Sequence, residues 1–149
     1  MGKIKKQAVI AQPLQIPKEA KYRQEDTSTN HTPISWRVTR LQLVDPFGWH
    51  TLSHAKLLDV LAKLAEFEKL TWNEILVERQ KQNHSVQVTQ LCSEAQKRLA
   101  EINLDDIEQL VSLRLSGKER VWGMREGAAL LLLWWDPEHQ VCPSLLKNT

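Results

Sequence analysis

Residues 113–143 read LRLSGKERVWGMREGAALLLLWWDPEHQVCP, and this stretch decides the fold. Two short turns, SGK at 116–118 and EG at 126–127, separate apolar runs, which predicts a small antiparallel β-meander. Side chains alternate across a strand, so Leu113 and Leu115 point one way and Arg114 the other. Over 119–125 the same rule puts Arg120, Trp122 and Met124 on one face, with Val121, Gly123 and Arg125 on the other. A glycine inside a strand marks a bulge or a close backbone approach. A bulge at Gly123 is expected to bring Arg120 and Arg125 to one face. The run 128–135 is apolar on both faces, as suits a central strand covered on both sides, and Asp136 and Pro137 end it.

Upstream, the pattern changes to helices. ISWRVTRLQLV alternates and is rich in β-branched and aromatic residues, predicting a strand over 34–43. DPFGW then turns the chain, and Ser53 is a suitable N-cap for a helix through Leu70. In that helix Leu57, Leu58, Leu61, Leu64, Ala65 and Phe67 recur at three- and four-residue steps, the spacing of a core stripe. Thr71 and Glu74 form a capping box for a short second helix. Residues 85–88 suit a brief extended piece, 88–102 a further helix and 104–110 a helical turn. The expected fold class is α+β: an antiparallel sheet of about four strands (34–43, 111–116, 119–125 and 128–135) with helices packed on one face.

The 149 residues suit one domain with a real core, and the apolar share of 42% and charged share of 26% are those of ordinary globular proteins. The expected organisation is a flexible basic tail over 1–32 and a single α+β domain over 33–149. Pro13, Pro17 and Pro33 break any helix there, and QEDTSTNHT has no apolar period. The longest apolar run is eight residues, too short for a membrane span. The basic start is not followed by an uninterrupted apolar segment, which argues against secretion and for a cytoplasmic protein. Net charge is +2, with a surplus of three cations in residues 1–32 and a deficit of one beyond, so a basic face must come from local clustering in the meander. Cys92 and Cys142, well separated, are expected as reduced thiols. His50 and His54 have helical ligand spacing but straddle the expected cap, and no metal or other cofactor is expected.

Arg114, Lys118, Arg120 and Arg125 ride on the meander, and Asp136, Glu138 and His139 follow its most apolar strand. Cleaving RNA through its 2′-hydroxyl needs a base, cations at the phosphorus and an acid for the leaving oxygen. Arginine meets phosphate with a planar fork, and histidine titrates near neutral pH. Arg120, Arg125, His139 and Glu138 are therefore the candidate catalytic residues, and Arg114 and Lys118 the candidate RNA contacts. The same residues also suit a solvated sheet face ending in an ordinary Asp-Pro turn.

The succession of a basic strand, a short turn, RVWG-x-R-x-G, an apolar strand and WWDPEH over about 110–143 resembles the C-terminal half of the RelE-like superfamily of bacterial toxins. More narrowly, it is similar to small bacterial proteins with the same ERVWG…WWDPEH ending. The resemblance implies an antiparallel sheet with helices on one side. It also implies a toxin-like endoribonuclease working through Arg114, Arg120, Arg125 and His139 on RNA, free or on the ribosome, and restrained by a cognate antitoxin protein. The chain departs from that pattern in its extra N-terminal segment and in lacking a late basic-aromatic ending. The alternative is a non-catalytic protein- or nucleic-acid-binding module on the same scaffold.

Overall fold

A computed structural model describes residues 27–143, so expectations for residues 1–26, most of the basic tail, lie outside the described residues. The main elements are β1 (Ser35–Arg37), α1 (His54–Phe67), a π-helical turn (Glu74–Glu78), β2 (His84–Gln87), α2 (Ser93–Glu101), β3 (Gln109–Ser116), β4 (Glu119–Glu126) and β5 (Ala129–Asp136). The protein is α+β, as the sequence predicts, and β3, β4 and β5 form the antiparallel meander. Two-residue loops join these strands, opened by Gly117 and Gly127 at φ of 51° and 63°. Glycine takes that left-handed conformation without steric penalty, and it suits the twist of a tight hairpin.

The sheet is larger than expected, with five strands in the order β1-β5-β4-β3-β2. β2 adds antiparallel to β3, and β1 adds parallel to β5. The strand expected over 34–43 contracts to three residues, because the chain turns after Arg37. The irregular segment beyond that turn still covers the β5 edge: Gln42 N donates to Leu133 O at 3.0 Å and Trp135 N to Phe47 O at 3.0 Å. A covered edge cannot recruit another strand.

Helices occupy both faces, not one. On the first, Val60, Leu64 and Phe67 of α1 pack with Val111, Leu113, Val121, Leu130, Leu132 and Trp135. On the second, Ala95 and Leu99 of α2 pack with Leu110, Trp122, Met124, Leu131, Leu133 and Trp134. This two-sided burial accounts for the unbroken apolar run of β5. Ser53 caps α1, its Oγ accepting from Lys56 N at 3.1 Å, and Thr71 and Glu74 form the reciprocal capping box. The core stripe of α1 keeps Leu64 and Phe67 of the expected one and adds Val60, all three buried, whereas the expected Leu57, Leu58 and Leu61 are 37%, 56% and 51% exposed. The helix from 88 begins only at Ser93, after a 3-10 turn, with Cys92 Sγ accepting from Ala95 N at 3.4 Å. Part of the turn expected over 104–110 is already strand, since β3 starts at Gln109.

The bulge lies opposite Gly123, in β5. Trp122 pairs with Trp134 and Gly123 with Leu132, leaving Leu133 as an extra residue. Leu133 and Trp134 consequently both face α2. The backbones draw so close that a Cβ on Gly123 would lie 2.6 Å from Leu131 O. β4 itself keeps strict alternation, so Arg120 stays on the α2 face and Arg125 on the α1 face. The expectation that a bulge unites them is thereby corrected.

Residues 29, 30 and 32 also contact the domain. Arg125 Nη2 donates to Thr29 Oγ1 at 3.0 Å and Asn30 Oδ1 at 2.8 Å, and Trp72 N donates to Thr32 O at 3.2 Å. No helix among the described residues is long and apolar enough to cross a membrane.

Candidate functional site

At the turn end of the meander, alternation gathers polar side chains on the α2 face. Val86 packs with α2, so His84, two residues away on β2, shares that face, as does its partner Ser112 on β3. One step further along, Arg114 on β3, Arg120 on β4 and Asp136 on β5 are direct cross-strand neighbours. His139 joins them from the turn after β5. This row of His84, Arg114, Arg120, Asp136 and His139 is the densest gathering of chemically capable side chains on the sheet.

Asp136 is fully buried and organises the row. Its Oδ1 accepts from Gln140 N at 2.8 Å, and its Oδ2 from Val141 N at 3.0 Å and Trp122 Nε1 at 3.1 Å. A carboxylate holding two amides of a turn is an Asx-type cap, so the Asp-Pro turn expected from the sequence is present. That cap holds His139 at φ 57°, a left-handed conformation costing about 1 kcal/mol outside glycine. His139 is only 3% exposed, and its Nδ1 is buried without a hydrogen-bond partner.

Arg120 is 8% exposed. Its Nη1 donates to Gly117 O at 2.7 Å and Glu119 O at 3.2 Å, while Nε and Nη2 make no hydrogen bond among the described residues. Burial, then the nearby Arg114, lowers its affinity for a proton, with Asp136 opposing. A guanidinium still remains charged at neutral pH. Arg114 is exposed, with its backbone N–H donating to Asn83 Oδ1 at 3.0 Å. Asn83 is itself buried and donates to Ile75 O at 3.2 Å, so it fixes the strand segment that carries Arg114.

Both imidazoles are held below the ordinary histidine range. For His84 the causes are burial, then Arg120 and His139. For His139 burial leads and Arg120 and Arg114 add to it, against its own backbone and Asp136. Both are therefore neutral at pH 7, the form that accepts a proton. His84 is the more reachable of the two, being only partly buried.

The other expected site residues lie elsewhere. Arg125 stacks over Trp72 at 4.1 Å on the α1 face, and its Nε donates to Gly127 O at 3.0 Å. Glu138 and Lys118 are exposed and meet each other at 3.7 Å, a surface pair of little energetic weight. His50 lies 3.5 Å from Asp45, and Ser53 caps α1 between His50 and His54. Among the described residues no three His, Cys, Asp or Glu side chains gather as a metal cage would require, Cys92 and Cys142 are not joined in a disulfide, and Cys142 Sγ donates to Gln90 O at 3.3 Å. Sequence reasoning starts the extended piece at residue 85, one position past His84. The alternation of His84, Val86 and Val88 is the signal that marks it as sheet-borne.

Comparison with protein-family models, curated proteins and solved structures found no match for this chain.

Proposed function

We propose that the protein binds RNA at the His84–Arg114–Arg120–His139 row and cleaves its phosphodiester bonds, as a toxin-like endoribonuclease. The observation that carries this reading is two neutral imidazoles on one sheet face beside two guanidiniums. Neutral His84 takes the proton of the ribose 2′-hydroxyl, whose oxygen attacks phosphorus. Arg114 and the free Nε and Nη2 of Arg120 hold the phosphate oxygens as charge builds. The bond to the 5′-oxygen breaks, and that oxygen leaves with a proton delivered by water, which in turn recovers one from protonated His84. The products are a 2′,3′-cyclic phosphate and a 5′-hydroxyl. His84 takes the role of base, one of the two proton-transfer roles that sequence reasoning leaves open to His139, because His139 is closed off from solvent. The RelE-like resemblance adds a cytoplasmic setting, the ribosome as a place of action and an antitoxin partner.

A second reading, a non-catalytic binding module, is favoured by the burial of His139 and by the commitment of Arg120 Nη1 to the β3–β4 turn. One experiment separates the two: the purified full chain is incubated with a labelled oligoribonucleotide and the ends of the products are identified. Cyclic-phosphate ends, lost about 100-fold or more in His84→Ala with binding retained, support cleavage. Tight binding without any product supports the module.

A further inference from the structure

A separate cleft of about 390 Å³ opens on the other side of Arg114, between the C-terminal half of α1, the loop 79–83 and the end of β3. Lys63, Lys69, Arg79 and Arg114 line it, with Glu66 as the sole carboxylate among its lining residues. Glu66 is already engaged by Lys69 at 3.2 Å. Glu119, whose charge also reaches Lys63, is held by Lys56 at 2.7 Å and by Ser116. Among the described residues, the side chains of Lys63, Arg79 and Arg114 have no hydrogen bond or ion pair. Phe67, Leu70 and Leu115 give the cleft an apolar wall.

We propose that this cleft is a nucleotide-binding pocket, with the phosphate held by Lys63, Arg79 and Arg114 and the base against the apolar wall. Three unpaired cations converging on one recess call for an anion of more than one charge. The apolar wall calls for a flat, weakly polar group attached to it. A nucleoside phosphate combines the two, and the volume lies in the ordinary range for small-ligand sites, roughly 300–1,000 Å³. A free nucleotide and one residue of an RNA strand offer the same chemistry. The free nucleotide needs the cleft alone, whereas an RNA strand running from it past Arg114 to His84 rests on the reading proposed above.

The test is calorimetric titration of the full chain at low salt with adenosine 5′-monophosphate, and with adenosine as the uncharged control. The monophosphate should bind at least tenfold more tightly than adenosine. Lys63→Ala, at a half-buried side chain without a hydrogen bond among the described residues, and Arg79→Ala, at an exposed one, should each weaken it about tenfold while the melting temperature holds. A short oligoribonucleotide that displaces the monophosphate assigns the cleft to a strand, and one that binds without displacing it assigns the cleft to the free nucleotide. Equal affinity for adenosine and its monophosphate, or binding indifferent to both substitutions, overturns the proposal. A wild-type chain that binds the monophosphate through Lys63 and Arg79 but never cuts RNA leaves the pocket standing and removes the cleavage reading.

Discussion

Arg120 and Arg125 share one strand yet serve opposite faces of the sheet. Arg120 neighbours Asp136 on the α2 face, and Arg125 lies over Trp72 on the α1 face. An odd spacing of five, with no bulge in β4 to break alternation, leaves no other outcome. The two guanidiniums therefore have different work: one borders the polar row, and the other fastens residues 29 and 30 to the β4–β5 hairpin.

Arg125→Ala should accordingly cost stability and leave RNA binding alone. It removes the hydrogen bonds to Gly127, Thr29 and Asn30, of about 1 kcal/mol each, and a stacking contact over Trp72 worth about 1 kcal/mol. After the usual overlap between such contributions, a loss of about 2–3 kcal/mol is expected in urea unfolding. Unchanged unfolding together with weakened RNA binding would return Arg125 to the site.

Acid should destabilise the protein through His84 and His139. Their folded pKa values are depressed, so below the unfolded value of about 6.5 the unfolded chain takes up protons that the folded chain refuses. This contribution is fully present above about pH 6.5 and declines as pH falls toward the depressed folded values. Melting temperature should drop from pH 7.5 to pH 5, and His139→Asn, a residue that tolerates the left-handed backbone, should flatten the slope. The same slope in wild type and variant would show that His139 does not contribute.

Asp136→Ala should be among the most damaging single changes. It strands the Gln140 and Val141 amides and the Trp122 indole N–H, of which Trp122 and Val141 lie in the core. Hydrogen bonds to a charged group are worth about 1.5–3 kcal/mol each, so a loss of at least about 3 kcal/mol is expected by chemical denaturation. Asp136→Asn, which keeps one acceptor oxygen, should recover part of it.

Gly123→Ala should destabilise although β4 has room for side chains elsewhere. The new methyl would meet the Leu131 carbonyl at 2.6 Å and Leu130 Cγ at 2.8 Å, and backbone cannot yield as a side-chain end can. About 1–3 kcal/mol of overpacking is expected, read as a lowered midpoint in guanidinium. A neutral result would mean that the bulge at Leu133 relaxes.

The meander was legible because its signals are local: Gly117 and Gly127 mark turns, and the strands between them alternate. The same holds for Ser53 and the Thr71–Glu74 box, whose partners lie within one turn of helix. What sequence could not supply was register between distant segments. His84 joins Arg114 and Arg120 only because β2 pairs with β3, and Arg125 parts from Arg120 because Leu133, on the neighbouring strand, carries the bulge. Leucine spacing in α1 defined a wide stripe, of which packing on the sheet buries Leu64 and Phe67 together with Val60 and leaves Leu57, Leu58 and Leu61 outside.

The parallel pairing of β1 with β5 also sets an order of assembly during synthesis. Ser35, Trp36 and Arg37 find their partners Ala129, Leu130 and Leu131 only after almost all of the described chain has left the ribosome. Hairpins close quickly because their strands are adjacent in sequence, whereas a pairing between distant segments waits on loop closure. Until β5 emerges, Ile34 and the buried line of α1 lack Leu130, Leu132 and Trp135 to complete their cover, and a nascent chain stalled before residue 129 presents those groups to chaperones.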